Sequence, residues 1–435
     1  MDKKLSAINK EEESLILHAL RRAYNRSPFW RDRFLDLGIG ENDFKTGFPF
    51  HSLPLLSKSD IIADQEEHGP FGRLLSVEPE DLRRIHKTSG TSSKPIFVAL
   101  TEQDILDTYA TSERAYALAG MGKGDRVIHC LSFNMWSGGV TDFIPIERVG
   151  ATAVPFGVGN TTMLLHTIRN LGINAISSTP SYMLTLRDRC EKEFGIDPKE
   201  LGLRRGYFGG EGLLQVPGIR EEIENAFGLT AYDANYGMSE ILSIVGGEGP
   251  ERHGLVYHAH GVLHCEMVDP DGNSIPVVKG AQGELVFTTL RRQGQPLFRY
   301  RSNDIAEILW SDFGDDGLLR MRFKIIGRSD EMLVIKGVNF FPQSLNSVIN
   351  EFEPQVSRNF RVVRPTAKDP GSLHVVLESP LEAGDAQTKL TERLQKRVAE
   401  MLQVKISITW VVPGSLSQDG NKSKYLIENV NEILD

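Results

Sequence analysis

Between Arg126 and Gly228 the chain alternates short apolar runs with amphipathic stretches. VIHCLSF, ATAVPF, INAISS and RRGYFGG read as strands that end in small or polar residues. MLLHTIRNLG and GIREEIENAFG read as the helices among them, the second closed by a glycine. This alternation constrains the fold more than any other feature, because it argues for parallel strands in an α/β domain. Ligands in such domains sit beyond the carboxyl ends of the strands. Residues that directly follow each run are therefore the first candidates for chemistry.

The flanking texture differs on both sides. The first sixty or so residues read as helical, with apolar residues of SLILHALRRAY at helical spacing, a pattern that core packing explains. From about His253, HCEMVDPDGNSIP and GELVFTTL read as antiparallel strands with Asp-Gly as their turn, and IAEILW and LRMRFKIIG continue that sheet. A short polar break follows at Gly327-Arg328-Ser329-Asp330. Beyond it the chain reads strand MLVIKG, helix PQSLNSVINEF, strands RNFRVVRP and LHVVLES, helix AQTKLTERLQKRVAEML and strand ISITWVVP. That βαββαβ order is the pattern of a small ferredoxin-like layout. The expected fold class is α/β: a large N-terminal domain, residues 1–329, with parallel-rich sheets plus an antiparallel β subdomain, and a small C-terminal α+β domain, residues 330–435.

At 435 residues two or three domains are expected, and the net charge of −9 argues against a nucleic-acid surface. It gives no reason to expect an anionic membrane partner either. Cys130, Cys190 and Cys265 lie far apart with no C-x-x-C, which fits a reducing compartment without a disulfide framework. MDKKLSAINKEEESL has no apolar stretch of a secretion signal, and no run approaches the length of a membrane span. A cytoplasmic location is expected. No coiled coil or basic patch marks a partner, and a homodimer is compatible with the chain.

Five segments carry residue types suited to nucleotide chemistry. Lys87-Thr88-Ser89-Gly90-Thr91-Ser92-Ser93-Lys94-Pro95 gathers hydroxyls, a glycine and lysines that can converge on an oligophosphate, without the spacing of a P-loop. An ordinary solvated turn has the same composition. Tyr236-Gly237-Met238-Ser239-Glu240 follows the strand-like LTAYDANY and offers a ring for a base and a carboxylate for Mg²⁺. Phe208-Gly209-Gly210-Glu211 also follows a strand; it is either a purine-lining segment or a glycine turn. Phe298-Arg299-Tyr300-Arg301-Ser302-Asn303-Asp304 places a carboxylate after a basic strand, where it would meet ribose hydroxyls or merely solvent. Gly414-Ser415-Leu416-Ser417-Gln418-Asp419-Gly420-Asn421-Lys422-Ser423-Lys424 is polar and glycine-containing, and Lys422 is either a mobile cation or a surface lysine.

Together, and in this order, these segments resemble the adenylate-forming superfamily of acyl-CoA synthetases, adenylation domains and luciferases, and within it the phenylacetate–CoA ligase branch. The resemblance covers nearly the whole chain. AYNRSPFWRDRFLDLGI and LPLLSKSDI resemble the branch's N-terminal segment and HKTSGTSSKP its phosphate loop. WSGGVTDFIPIERVGATAVPFGVGNT with STPSY is similar to its acid-pocket region. YDANYGMSE, FRYRSND, GRSDEMLVIKGVNFFP and GSLSQDGNKSK resemble the remaining motifs.

The resemblance implies an AMP-forming acid–thiol ligase. A carboxylic acid and ATP give an acyl-adenylate, and CoA then gives the thioester. It implies that Ser89, Gly90, Thr91 and Lys94 hold the β- and γ-phosphates, and that Tyr236 stacks on adenine beside Gly237, with Gly209, Gly210 and Glu211 along the other side. Ser239 would contact the α-phosphate, Glu240 would bind Mg²⁺, and Asp304 the ribose. Arg328 would touch ribose or phosphate, Asp330 would be the hinge of the small domain, Gly337 would line the thiol's approach, and Lys422 would bind the carboxylate and α-phosphate. Phe133, Trp136, Ser137, Gly138 and Gly139 would line the acid pocket, with Gly210 and Tyr236. Aromatics and glycines suit a flat apolar ring, and no arginine or lysine stands in these segments to pair a second carboxylate, so an aryl or arylacetic acid is expected. A carrier-protein thiol or a nitrogen nucleophile is an alternative acceptor, and a non-catalytic nucleotide or acyl binder is the alternative of another class.

Three departures stand out. Ser93 and Asn303 occupy positions where the branch has glycine. Many branch members carry a Cys/His zinc site near the ribose region; here His253, His258, His260, His264 and Cys265 cluster, but the Gly-Leu-His pattern is broken by Val256. His258 and His260 on one strand would share a face and suit a metal, and surface or core histidines are the alternative.

Overall fold

In the computed structural model, residues 9–88, 94–216, 218–335, 338–364, 372–402, 404–416, 425–427, 429–430 and 433 are described. Helix α1 (Lys10–Arg26) starts at Asn9, whose side chain accepts the Glu11 amide; Glu11, Glu12 and Glu13 fill its first turn and Arg26 its last. Each charge sits at the end that the helix dipole favours. Helix α2 (Pro28–Asp36) opens with a Ser27 cap followed by proline, and α3 (Lys58–His68) with a Ser57/Asp60 capping box. Their apolar faces, including Ile16, Leu20, Trp30, Phe34 and Ile61, join a core with Leu285, Phe287, Phe298 and Phe323.

Strands β1 (Leu82–Lys87) and β2 (Phe97–Thr101) form an antiparallel ribbon, followed by α4 (Glu102–Leu118). The expected alternation then appears: β3 (Arg126–His129), α5 (Ser137–Arg148), β4 (Thr152–Pro155), α6 (Thr161–Leu171), β5 (Ala175–Ser178), α7 (Pro180–Phe194), β6 (Arg205–Gly209), α8 (Ile219–Phe227) and β7 (Thr230–Met238). All four strand contacts among β3 to β7 are parallel. Leu164, Ile168, Met183, Leu186, Ile223 and Phe227 cover one face, against Ile128, Ile176 and Phe208. Tyr116 and Ile146 cover the other, against Val127, Ala175 and Tyr207. Coverage on both faces is what a parallel sheet requires.

The sense reverses at β7, which pairs antiparallel with β8 (Leu242–Gly247). Then come β9 (Leu255–Tyr257), β10 (Leu263–Val268), β11 (Ser274–Ile275), β12 (Gln282–Thr289), β13 (Tyr300–Phe313) and β14 (Leu319–Arg328). They extend one twelve-stranded sheet in the order β11-β10-β12-β13-β14-β9-β8-β7-β6-β5-β3-β4. Asp304 thus lies inside β13 rather than after a strand, because β13 pairs with β12 on both sides of it, across an irregularity in register. His258 and His260 follow β9 and do not share a strand face.

The chain divides into two compact units, Met1–Ile325 and Ile326–Asp435. This division lies within β14, a few residues ahead of the Asp330 boundary expected from the polar break. In the second unit, β15 (Leu333–Ile335) and β16 (Val338–Phe340) form a hairpin, followed by α9 (Asn346–Ile349). A separate sheet has the order β19-β18-β17-β20, from β17 (Phe360–Val363), β18 (Ser372–Glu378), α10 (Asp385–Leu402), β19 (Lys405–Val411) and β20 (Leu426–Ile427). The expected strand MLVIKG therefore does not enter the four-stranded sheet: its partner is the adjacent β16, and the short β20 takes the place beside β17. Leu345, Val348, Phe360, Val375, Leu390 and Leu394 form this unit's core. Among the described residues no helix is long and apolar enough to cross a membrane.

Candidate active site

The carboxyl ends of β3, β6 and β7 carry the aromatic, glycine and acidic residues singled out from the sequence. At the end of β7 the Tyr236 hydroxyl donates to Asp304 Oδ2 at 2.9 Å. Two segments far apart in the chain thus meet edge to edge. Asp304 is held in turn: its N–H donates to Ser302 Oγ at 2.9 Å, and that hydroxyl donates to the Leu285 carbonyl at 2.6 Å. Asn303 has φ 62°, the left-handed region in which glycine is at ease and asparagine is tolerated. The departure from glycine therefore leaves the local backbone intact, and the Asn303 N–H donates to Glu284 Oε1 at 3.0 Å. Gly237 is compulsory for another reason: a Cβ there would lie 2.1 Å from the Ser243 carbonyl oxygen across the β7–β8 pair.

Ser239 and Glu240 form the turn after β7. Ser239 Oγ lies 2.8 Å from Ser137 Oγ, in the first turn of α5. Glu240 is only 8% exposed. Its Oε1 lies 3.3 Å from Lys58 Nζ and 3.5 Å from the Tyr300 hydroxyl. Lys58 and Tyr300 were not among the candidates. The signal for Lys58 was the S-K-S-D capping box, which sets where α3 starts and hence where its first side chain projects.

At the start of α5, the Lys87 N–H donates to the Met135 carbonyl at 2.8 Å and ties β1 to the turn before the helix. The Trp136 indole lies over glycines: a Cβ on Gly138 would be 2.7 Å from the ring, and one on Gly210 3.5 Å from it. A Cβ on Gly139 would strike the Ser132 carbonyl at 2.3 Å. Phe133 is exposed and meets His129 and Phe143 edge-on, at 5.7 and 6.0 Å between ring centres. His129 is fully buried, with Nδ1 3.0 Å from Ser177 Oγ and Nε2 3.2 Å from the Gly138 carbonyl. Burial pushes its pKa down to about 4, so the ring is neutral.

Glu211 accepts the Ser181 N–H at 3.1 Å and the Ser181 hydroxyl, so its carboxylate caps α7 beside Gly210; burial raises its pKa. Gly209 admits no side chain, because its Cβ would meet Asn235 Cβ at 2.3 Å. Behind that contact, fully buried Asp142 of α5 accepts from Asn235 Nδ2 and Ser243 Oγ. Burial raises Asp142 to about 7 against these two hydrogen bonds. Asp142 and Asn235 were also missed: an acid inside a helix and an amide inside a strand show no spacing that marks them.

Ser89, Gly90 and Thr91 of the hydroxyl-rich segment, and also Gly337 and Lys422, lie outside the described residues. Both ends of that segment are fixed. The Thr88 N–H donates to the Ile96 carbonyl, and the Ile96 N–H to Thr88 Oγ1, each at 3.0 Å. Lys94 is exposed and ion-paired with Glu66. In the second unit the Arg328 guanidinium holds Asp330 through two bonds of 2.9 and 2.8 Å.

His258 Nε2 lies 3.3 Å from the Gly247 carbonyl, and burial takes the pKa of His258 and of His260 to about 4. His264 is buried 3.2 Å from Glu12 of α1; burial opposes its charge, but the carboxylate wins and raises its pKa. Cys265 is buried within β10, and burial pushes its thiol far up. Among the described residues, no group of three or more His, Cys, Asp or Glu is arranged to hold a metal.

A parallel half-sheet covered by helices on both faces, with an aromatic ring and carboxylates gathered at the end of β7, has the architecture of an α/β enzyme with its site beyond the strand ends. The chain belongs to the AMP-binding enzyme family: residues 50–290 match the model of that family, and residues 337–429 match the AMP-binding enzyme C-terminal domain. It is 30% identical to the phenylacetate-coenzyme A ligase of Pseudomonas putida over 98% of this chain and 94% of that one. It is 32% identical to the phenylacetate-coenzyme A ligase of Escherichia coli K12 over 93% and 91%. Among solved structures it resembles 2-hydroxyisobutyryl-CoA ligase in the postadenylation state with 2-HIB-AMP. The TM-score is 0.82 at 25% identity, covering 99% of this chain and 92% of that one.

Proposed function

We propose that this chain activates a carboxylic acid with ATP as an acyl-adenylate and transfers the acyl group to CoA. The observation that carries this reading is the junction of Tyr236, Asp304, Ser239 and Glu240 at the end of β7 in a member of the AMP-binding enzyme family. Full-length similarity to two phenylacetate-coenzyme A ligases supports CoA as the acceptor.

In this reading the Tyr236 ring stacks on adenine, while its hydroxyl holds Asp304 ready for the ribose. Gly209 and Gly210 admit the purine from the other side, and Glu211 stabilises that wall by capping α7. Ser239 meets the α-phosphate, with Ser137 steadying its hydroxyl. Ser89, Gly90, Thr91 and Lys94 would meet the outer phosphates. Glu240 would hold Mg²⁺; a single buried carboxylate that leaves the other positions to phosphate oxygens and water fits that ion. The ion would neutralise phosphate charge when bound. Lys58 places a cation at the same carboxylate. The carboxylate attacks the α-phosphorus and pyrophosphate leaves; little proton transfer is needed, so positioning and charge neutralisation by Lys422 would carry the step. Arg328 and Asp330 would mark the turn of the second unit, and Gly337 the thiol's approach.

Phe133, Trp136, Phe143 and His129, with glycines at 138, 139 and 210, support an aryl or arylacetic acid as substrate. Acid-dependent ATP–pyrophosphate exchange tests this across benzoic, arylacetic, cinnamic and short aliphatic acids, 2-hydroxyisobutyrate included. Exchange with an aromatic acid, followed by thioester formation on adding CoA, is expected. Exchange with short acids alone would refute the aryl reading, and no exchange from protein that binds ATP would refute the activity. Lys422→Ala should abolish exchange while ATP binding persists.

A further inference from the structure

The loop between β12 and β13 carries a buried base that the reading above does not use. Arg292 is 5% exposed. Its Nη2 donates to the carbonyl of Ile241, the residue that follows Glu240 in the turn after β7. Ile241 is fully buried, so that carbonyl is shielded from water. A buried carbonyl left without a donor is costly, and a charged donor satisfies it strongly. Taking a guanidinium out of water is itself costly. Burial lowers the pKa of Arg292, and Asp104 and Asp107 of α4 oppose that. Neither acid is reserved for it. Asp104 accepts the N–H groups of Thr101, Gln293 and Gly294 at 3.0, 2.6 and 2.9 Å, and Asp107 is ion-paired with Arg291 at 3.2 Å. Among the described residues Arg292 Nη1 has no hydrogen-bond partner. The Ile241 carbonyl is where the guanidinium is put to use.

The base from which it reaches is rigid. Asp104 fastens the residues after Arg292 to the start of α4. Gln295 Oε1 accepts the Ala99 N–H at 2.8 Å, and a Cβ on Gly294 would lie 2.4 Å from the Ala99 carbonyl oxygen, so the loop packs closely on β2. From there the guanidinium holds one corner of the turn Met238–Ile241, which the Ile241 N–H closes on the Met238 carbonyl at 3.1 Å. Ser239 has its own brace in Ser137. The Glu240 side chain lies beside Lys58 and Tyr300, but its backbone is set by the residue that Arg292 holds.

We infer that Arg292 is a positioning residue: by holding the Ile241 carbonyl it sets the backbone of Glu240, and with it the direction in which that carboxylate meets the metal of a bound nucleotide. This rests on the proposed role of Glu240 toward Mg²⁺. Arg292 acts through Glu240 and touches neither nucleotide nor ion. Its loss should therefore weaken binding of the metal-loaded nucleotide and spare a nucleotide that needs no metal.

The test uses the full chain with Arg292→Met, which keeps the apolar stem and removes the donor, and with Arg292→Lys, Glu240→Gln and the Arg292→Met/Glu240→Gln double variant. Calorimetry gives Kd for ATP with Mg²⁺ and for AMP with EDTA, and hydrogen exchange reads the Ile241 amide. In Arg292→Met, Kd for ATP with Mg²⁺ should rise by about tenfold, the scale on which groups that orient a metal ligand act. Kd for AMP should stay at the wild-type value, which also shows that the variant is folded, and the Ile241 amide should exchange faster. Arg292→Lys keeps the charge on a shorter reach and should recover part of the loss. In the Glu240→Gln background Arg292→Met should cost nothing further, because the group it acts through is gone. Wild-type Kd for ATP in Arg292→Met, an equal rise for ATP and AMP, or an undiminished loss in the Glu240→Gln background would overturn the inference. If Arg292→Met does not fold, Arg292→Lys carries the test: it must weaken ATP alone and lose that effect beside Glu240→Gln, and any other result overturns the inference. Wild-type binding of ATP with Mg²⁺ in Glu240→Gln would instead overturn the metal role of Glu240 on which the inference stands.

Discussion

Two residues show how little change separates a site that works from one that does not. Asn303 sits at φ 62°, so Asn303→Ala should cost about 1–2 kcal/mol of local strain and displace Asp304, while Asn303→Gly should be tolerated. The check is KM for ATP, which should rise in the alanine variant alone; equal values would show that the backbone at Asn303 does not set Asp304. Asp142 behaves differently. Its folded pKa is raised to about 7 from 3.8, so its contribution to stability is complete below the unfolded value and is lost as pH rises through 7. Asp142→Asn should therefore gain in melting temperature relative to wild type at pH 8 and not at pH 4. A gain of the same size at both pH values would contradict the burial-driven shift.

Among the elements, α5 and the turn before it matter most for the candidate site. The helix begins under the Trp136 ring and places Ser137 against Ser239 and Asp142 against the β7–β8 pair. Gly139 lets the helix approach the Ser132 carbonyl, and a Cβ there would lie at 2.3 Å, inside van der Waals contact. Gly139→Ala should thus shift the start of α5 and lower acid-dependent exchange, with a melting point lower by several degrees. Retained activity would show that the turn can give way. The alternation of runs from Arg126 made these elements readable, because each parallel strand must be followed by a covering helix. The ends of β13 were not readable: FRYRSND looks like a strand end, yet pairing with β12 carries the strand through Asp304. Likewise MLVIKG is strand-like by composition, but only the pairing decides that its partner is β16.

Across the whole molecule, acid should act on the two units unequally. His86, His129 and His258 lie in Met1–Ile325, and burial lowers each to about 4 from 6.5. Their neutral forms favour the fold fully above pH 6.5, and that contribution falls away as pH drops toward 4. Glu266 in the same unit is held at about 2 against the cost of burial, with His51 and Arg299 as partners. Its contribution is full above about 4.5 and is lost as pH falls through 2. Hydrogen exchange followed from pH 7 to pH 4 should show amides of Met1–Ile325 losing protection before those of Ile326–Asp435. The opposite order would mean that the buried histidines do not govern acid stability.

From sequence alone came the α/β class, the antiparallel extension, the small α+β unit and the family, because these depend on local periodicity and on motifs that are contiguous in the chain. Tyr236, Glu240 and Asp304 were visible for the same reason. The tertiary structure alone decided what those residues touch: Tyr236 on Asp304, Ser239 on Ser137, Lys58 beside Glu240, Asp142 behind Gly209. Each of those pairs joins segments brought together by sheet order, and their side chains carry no spacing signal. The histidine cluster makes the same point, since the sequence left a metal or core packing open and the folded chain turns His258 to a backbone carbonyl and His264 to Glu12. Burial and partners, not residue type, set what a titratable group does.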